Sequence, residues 1–445
     1  MSLTTPDTIR TLQRKLYAKA KQEPAYRFYA LYDKISRAEV LAYAWRLARA
    51  NRGSPGVDGM SFEAIERGIG VDTFLRELAQ DLKDHTYRAQ PVRRVMIPKA
   101  DGRLRPLGIP TIRDRVAQMA VTLIIEPIFE ADFCANSYGF RPNRSAHDAV
   151  DDIANTLWAG YTQVIDADLS NYFDSIPHAK LMAVLAERMV DGGILHLIKL
   201  WLKAPVIGED DNGVKRGVGG GNTNSKGTPQ GGVISPLLAN CYLHLLDRSW
   251  QRQHLNGTLQ AHLVRYADDF VVLCRGGVEE PLNVVRRVRE RLGLSLNEAK
   301  TQIVDATQAS FDFLGFSIRM SRGRRTGNPY PHVRPSDKSL MKIKTKLTAL
   351  TRRELTPMAL EKMVEQVNRS LKGWVNYFHY RNSNQVMEKV KTHAEHRMRQ
   401  HLMKRHKVKD RGIGEGRFPS VDLYRRYGLT KIPTAAGWRS AHALA

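Results

Sequence analysis

Apolar positions recur at helical spacing over residues 36–50 (SRAEVLAYAWRLARA), behind Ser36 as a candidate cap, and the glycines and proline of NRGSPGVDG then read as a loop. A second helix fits 72–84. Between 91 and 110 the pattern shortens. PVRRVMIPKADGRLRPLGIP predicts two short strands joined at Asp101-Gly102, a hairpin carrying Arg93, Arg94, Lys99, Arg103 and Arg105. Apolar helices are expected at 112–130 and 145–158, the second opened by Ser145 with Asp148 three residues on.

Strands then alternate with helices. TQVIDAD at 162–168 reads as a strand, and 178–190, 194–203 and 235–250 as helices, the last with Ser235 as cap and Pro236 in its first turn. The Val- and Leu-rich runs 261–267 and 270–274 predict two strands hinged at Asp268-Asp269, with a helix at 282–293. A sheet with helices beside it is an α+β domain. Beyond Pro335 the strand signal stops: 336–405 predicts three helices, the first bearing Lys342, Lys344, Lys346, Arg352 and Arg353. The stretch 406–445 is basic and rich in helix breakers.

Length and charge narrow the class. A chain of 445 residues exceeds one ordinary core and predicts two to four units. Its 69 Lys and Arg against 45 Asp and Glu leave +24, spread along the chain, which points to a polyanionic partner. Cys134, Cys241 and Cys274 are far apart and form no Cys-x-x-Cys pair, so neither a disulfide framework nor a zinc knuckle is readable and a reducing compartment fits. No apolar run approaches the roughly 18 residues of a membrane span. The start of the chain has no signal-peptide core, and Glu23 and Asp33 oppose a transit peptide, so a cytoplasmic protein without a membrane partner is expected.

The chemistry gathers at carboxylates. Asp268 and Asp269 lie between LVRYA and FVVLC, and adjacent acids beside a buried sheet repel unless a cation neutralises them. A solvated Asp-Asp turn is the other reading. Asp168 ends a second apolar strand, VIDAD, sharing one face with Asp166. If the two strands are neighbours, Asp168, Asp268 and Asp269 surround two Mg²⁺ ions, with Mn²⁺ as a substitute, in a two-metal phosphoryl-transfer site.

The succession IPKADGRLRPLGIPTIRDRVAQ, SYGFRPNRSAHDAV, DADLSNYFDSIPH, GTPQGGVISPLLANCYL, VRYADDFVVLC, LSLNEAKTQ and FDFLGFSI resembles, in order, the polymerase blocks of group II intron reverse transcriptases. The resemblance implies a right-hand polymerase with fingers and palm followed by an α-helical thumb/maturase domain. The expected boundaries are 1–160 for an N-terminal extension and fingers, 161–330 for the palm with part of the fingers, 331–405 for the helical thumb/maturase domain and 406–445 for a basic DNA/RNA-binding segment. It also implies Asp168, Asp268 and Asp269 as metal ligands, with Leu169 adding its carbonyl.

By the same resemblance, Phe173 packs under the sugar and excludes a 2′-hydroxyl, or is simply a core aromatic. Lys99 and Arg105 grip the incoming triphosphate, and Gln230 in TPQGG packs beside the nascent base pair. The glycines there do not form a Walker loop, because no GK[ST] follows. Lys300 matches a lysine that protonates pyrophosphate, with a surface lysine as the other reading. FDFLGFSI at 311–318 matches the primer grip, and LKGWVNYFHY at 371–380 the maturase segment, whose Trp374, Tyr377, Phe378 and Tyr380 either stack bases or pack between helices.

The implied partners are an RNA template, a DNA primer or target, dNTPs and a structured intron RNA; nothing bears on oligomeric state. Some family members continue into an HNH nuclease with paired cysteines. This chain ends at Ala445 without them, so cleavage of target DNA is not expected, and no RNase H unit is readable. Two other readings are an RNA-binding splicing cofactor with a lapsed polymerase and a domesticated enzyme of a defence, retron or CRISPR system. The intact carboxylates and Gln230 oppose the first; the missing Val-Thr-Gly of retron enzymes and the maturase-like segment oppose the second.

Overall fold

The computed structural model describes residues 4–98, 104–209 and 215–437. Among them the strands are, in chain order, β1 (Val92–Pro98), β2 (Leu104–Ile109), β3 (Gln163–Asp168), β4 (Val206–Glu209), β5 (Lys215–Gly219), β6 (Ala261–Tyr266), β7 (Asp269–Cys274), β8 (Gln302–Asp305), β9 (Phe311–Phe313), β10 (Phe316–Arg322) and β11 (Pro329–Pro335). They form three sheets, of order β2-β1-β4-β5, β6-β7-β3-β8 and β11-β10-β9.

The basic hairpin forms as its sequence predicts: β1 and β2 are antiparallel from Arg93↔Ile109 to Pro98↔Leu104. Its turn residues, with Lys99 and Arg103, lie outside the described residues. β4 and β5 extend this sheet, β4 pairing parallel with β1 at Val92↔Val206 and Arg93↔Ile207. Both are short, and KRGVG is exposed throughout, so no period-2 pattern marks them.

Helix ends are where the sequence reading needs correction. Ser36 does not cap the helix Ala38–Ala50; its hydroxyl donates to the Asp33 carbonyl, closing the preceding short helix Tyr32–Ile35. Ser235 is not a cap either. It lies inside Ser235–Arg252 and donates its hydroxyl to the Pro229 carbonyl, while Ile234 occupies the cap position. The 178–190 helix stops at Ala186. Ser145 and Asp148 do form the reciprocal cap of Ala146–Trp158, each accepting the other's backbone N–H at 3.2 and 2.8 Å. Helices Asp7–Gln22 and Phe62–Arg67 were not expected.

The chain divides into two compact units. The first comprises Met1–Ala149, Ala167–Val272 and Gly277–Gln302. Its centre is the helix Ile112–Glu130, buried on nearly every side; the polar residues it buries are hydrogen-bonded, Asp114 to the Tyr87 hydroxyl, Arg115 to the Pro110 carbonyl and Gln118 to Val233 N–H. β6, together with the ends of β3 and β7 that carry Asp168 and Asp269, belongs to the first unit.

The second unit contains Val150–Asp166, Leu273–Gly276 and Ile303–Ala445. Helices Asp337–Leu350, Leu360–Phe378 and Asn384–Arg405 bury Leu347, Met363, Leu371, Met387 and Leu402 in one core. Phe418, Leu423, Leu429 and Ile432, from the stretch expected to be a basic segment, fill the same core. The maturase-segment aromatics pack together. Tyr377, Phe378 and Tyr380 surround Phe316 with ring centroids 5.6, 5.3 and 6.0 Å away, and Trp374 meets Phe378 at 4.9 Å. The Tyr377 hydroxyl donates to the Leu314 carbonyl at 3.0 Å, and Arg381 clasps Asp151 at 2.6 Å. Among the described residues no helix is long and apolar enough to cross a membrane.

Leu423→Ala would open a cavity in this core and is expected to cost about 2–5 kcal/mol. The check is the denaturant midpoint of the second unit's transition; an unchanged midpoint would mean that residues beyond 405 do not support the helices.

Candidate active site

β6 and β7 are neighbours joined by only Ala267 and Asp268, which makes them a tight hairpin. Ala267 has φ 57°, the left-handed region, at the link position where a hairpin usually places glycine. Two contacts hold it there. The Arg265 guanidinium donates to the Ala267 carbonyl at 2.9 Å, and Gly139 backs onto the Ala267 amide so closely that a Cβ at 139 would lie 2.3 Å from that nitrogen. The chain segment carrying Gly139 is itself tied to β6: Tyr138 N–H donates to the Arg265 carbonyl at 2.8 Å and Arg265 N–H to the Asn136 carbonyl at 2.9 Å.

Arg265 is 0% exposed, so its charge needs an internal partner. Asp247, also 0% exposed, accepts from it at 2.5, 3.0 and 3.1 Å. Asn240 accepts from the same guanidinium at 3.0 Å and donates to the Gly139 carbonyl at 2.6 Å. Burial pushes the Asp247 carboxyl up, but the facing Arg265 more than reverses this and holds it at about 2.

Asp168 ends β3, the neighbour of β7. Its carboxylate accepts from the Lys300 ammonium at 2.7 Å and from Asn297 Nδ2 at 3.3 Å. Leu169 bridges to Leu296, with Asn297 N–H donating to the Asp168 carbonyl and Ser170 N–H to the Ser295 carbonyl, both at 2.8 Å. In such an antiparallel pair the residue between the two bonds turns its own N–H and C=O to the opposite side. Asp268 is half-buried and Asp269, which opens β7, is exposed. Burial raises the Asp268 carboxyl above its ordinary range and the Asp168 charge adds to this, while Arg105 of the basic hairpin pulls it down.

A third strip of chain completes the surroundings. Thr228 N–H donates to the Phe173 carbonyl and Gly227 N–H to the Ile176 carbonyl, both at 2.8 Å, so the TPQGG loop runs beside the residues after Asp168. Gly108 N–H on β2 donates to the Gln230 carbonyl at 2.6 Å, and Gln118 accepts from Val233 N–H at 2.8 Å. Gly231, at φ 112°, lies where a Cβ would be 2.4 Å from the Gly108 carbonyl. Only glycine fits that approach. The Phe173 ring is half-buried, between Tyr172 and Phe140.

The donor set is all carboxylate and carbonyl oxygen, which suits a hard divalent cation. Among the described residues no three His, Cys, Asp or Glu side chains form a closed cluster. Mg²⁺ ordinarily takes one or two carboxylates and completes its shell with water and substrate phosphates, so an open arrangement fits it.

Residues 97–318 match the family described as reverse transcriptase (RNA-dependent DNA polymerase), and 340–415 match the group II intron, maturase-specific domain. Protein YkfC of Escherichia coli (strain K12) is 36% identical over 353 residues, covering 71% of this chain and 90% of that protein. The chain belongs to the group II intron-encoded reverse transcriptases. The group II intron-encoded protein LtrA of Lactococcus lactis subsp. cremoris is 30% identical over 364 residues, 66% of this chain and 57% of LtrA. An uncharacterized 91 kDa protein in the cob intron of Schizosaccharomyces pombe is 30% identical over 321 residues, 60% of this chain and 37% of its own length. The chain therefore spans a little over half of LtrA and about a third of the yeast protein. The enzyme class is RNA-directed DNA polymerase, the family depends on divalent metal, and the two domains imply a template RNA and an intron RNA as partners.

The geometry of this reverse transcriptase brings Asp268 within electrostatic reach of Asp168 and Arg105 and pairs Lys300 with Asp168, with Asp269 at the start of the neighbouring strand. The Phe173 backbone contacts the loop that carries Gln230, through Thr228, and Lys99 lies outside the described residues. Sequence reasoning missed Asp247, Asn240 and Gly139. The available signal was Arg265 itself, a lone charge inside an otherwise apolar strand.

Asp247→Asn would leave the Arg265 charge buried without its counterion and is expected to cost about 3–5 kcal/mol. Since the folded carboxyl lies near 2 against an ordinary 3.8, its stabilisation is present above about pH 4 and lost as pH falls through 2. Denaturant midpoints of both proteins at pH 7 and pH 3 check this: the gap should narrow at the lower pH, and an equal gap would contradict the ion-pair account.

Proposed function

We propose that this chain copies RNA into cDNA by two-metal nucleotidyl transfer from a DNA primer, and binds a structured intron RNA to assist splicing and mobility. The observation that carries the reading is the meeting of Asp168 and Asp268, 100 residues apart in number and on separate strand ends, with Arg105 acting on Asp268 from the hairpin. On this reading the β2-β1-β4-β5 sheet serves as fingers, the β6-β7-β3-β8 sheet as palm and the helices after Pro335 as thumb.

Asp168, Asp268 and Asp269 hold two Mg²⁺ ions, and the Leu169 carbonyl is turned so that it can add a ligand. When bound, such ions lower the pKa of a primer 3′-hydroxyl and neutralise charge on the triphosphate and leaving pyrophosphate. Arg105 offers a planar donor pair to the triphosphate. Lys300, which balances Asp168 at 2.7 Å, would donate a proton to the departing group. Gln230 and Phe173 line the place of the incoming nucleotide, Phe173 against the sugar. A protein that only bound RNA would gain nothing from clustered carboxylates facing its ligand, which argues against a lapsed polymerase.

With poly(rA)/oligo(dT), dTTP and Mg²⁺ the purified chain is expected to make cDNA, and Asp268→Ala to lose at least about a hundredfold in rate. Full synthesis by that variant would overturn the mechanism. Arg105→Ala should raise the KM for dTTP by about tenfold or more, as loss of a charged phosphate contact does; an unchanged KM would remove Arg105 from the triphosphate site. Sequencing RNA that co-purifies from the native host tests the partner: a structured intron is expected, and a retron RNA or mixed transcripts would contradict it.

A further inference from the structure

Phe140, in the SYGFRPN block, is not used by the mechanism and is unusual on three counts. Its φ of 56° is left-handed, a region that bulky L-residues avoid. The residue is 49% exposed, unusual for a large apolar side chain. Both its neighbours are immobilised. Gly139 is wedged against the Ala267 amide and its carbonyl is held by Asn240 at 2.6 Å. Arg141 is buried, paired with Glu130 at 2.7 Å and donating to the Cys134 and Ser137 carbonyls, each at 2.6 Å.

A ring placed by such constraints is aimed, and its aromatic neighbour is Phe173. The centroids are 6.4 Å apart at 78°, an edge-to-face pair. On another side Phe173 meets Tyr172, at 5.7 Å and 68°, whose ring is buried and whose hydroxyl is fixed to the Ala239 carbonyl at 2.6 Å. Phe173 thus has a rigid support within the fold and a second, solvent-side support in Phe140.

We propose that Phe140 is a positioning residue that determines sugar specificity: its ring holds Phe173 edge-on, at the setting in which Phe173 excludes a 2′-hydroxyl. This rests on the reading of Phe173 as the sugar-facing residue. The same loop that seats the Ala267-Asp268 link on Gly139 therefore also sets the discriminating ring, so the catalytic turn and the sugar wall share one anchor.

The test is the ratio of kcat/KM for dGTP to that for GTP on poly(rC)/oligo(dG), substrates that differ only at the 2′-position. Phe140→Ala should lower the ratio about three- to tenfold, the range of an aromatic pair, and Phe140→Tyr should restore it. Phe173→Val should lower it on its own, and Phe140→Ala added to Phe173→Val should lower it no further. An unchanged ratio in Phe140→Ala beside a lowered one in Phe173→Val overturns the inference and leaves the sugar reading standing. No change in Phe173→Val overturns both. An equal drop from Phe140→Ala in the two backgrounds also overturns it, because Phe140 would then act without Phe173.

Discussion

A guanidinium with no exposed surface supports the Ala267-Asp268 link, and the arrangement of the carboxylates depends on its being neutralised in place. Arg265 gives one hydrogen bond to the Ala267 carbonyl and the rest of its fork to Asp247 and Asn240. A left-handed alanine costs of the order of 1–3 kcal/mol relative to a relaxed conformation, so it persists only where its surroundings over-determine it. The buried pair does so because swinging Arg265 away would strand two charges in the core. The contacts radiate outward: Asn240 reaches Gly139, Gly139 abuts Ala267, and Asn136 and Tyr138 bracket Arg265.

Around that anchor, charge is distributed unevenly by design of the sheet. Asp247 is fully compensated by Arg265, whereas Asp168 and Asp268 face each other across neighbouring strand ends with Lys300 and Arg105 as partial counterions. Both cations sit on elements that differ from the strands they neutralise. The β1-β2 hairpin brings Arg105, and the segment after Leu296 brings Lys300. A metal and a triphosphate arriving together supply opposite charges to the same place, which is the electrostatic complement that this arrangement lacks by itself.

Much of this was legible in the sequence, for reasons that differ by residue. The β1-β2 hairpin and the β6-β7 pair announce themselves by short apolar runs around a turn, and Asp168 by its position at the end of one such run. Ser145 and Asp148 form the reciprocal cap that their spacing predicts, while Ser36 and Ser235 do not cap, because each hydroxyl finds a nearby carbonyl to which it donates instead. β4 and β5 were not legible because both are short, β5 is an exposed edge strand, and glycines in each leave almost no hydrophobic period. The contribution of Phe418, Leu423, Leu429 and Ile432 to the helical core was hidden by the many charges around them. Asp247 could not be paired with Arg265 from sequence, since their contact is tertiary.

On the proposed mechanism, Asp168, Asp268 and Asp269 would hold divalent cations at one place. Iron-promoted backbone cleavage measures this most directly, with Fe²⁺ replacing Mg²⁺ in the presence of template-primer and dNTP and the fragments mapped by mass spectrometry. The account predicts cuts near Asp168-Leu169 and near Ala267–Asp269, suppressed by excess Mg²⁺. Cuts confined to other parts of the chain, or cuts at only one of these two strand ends, would contradict it.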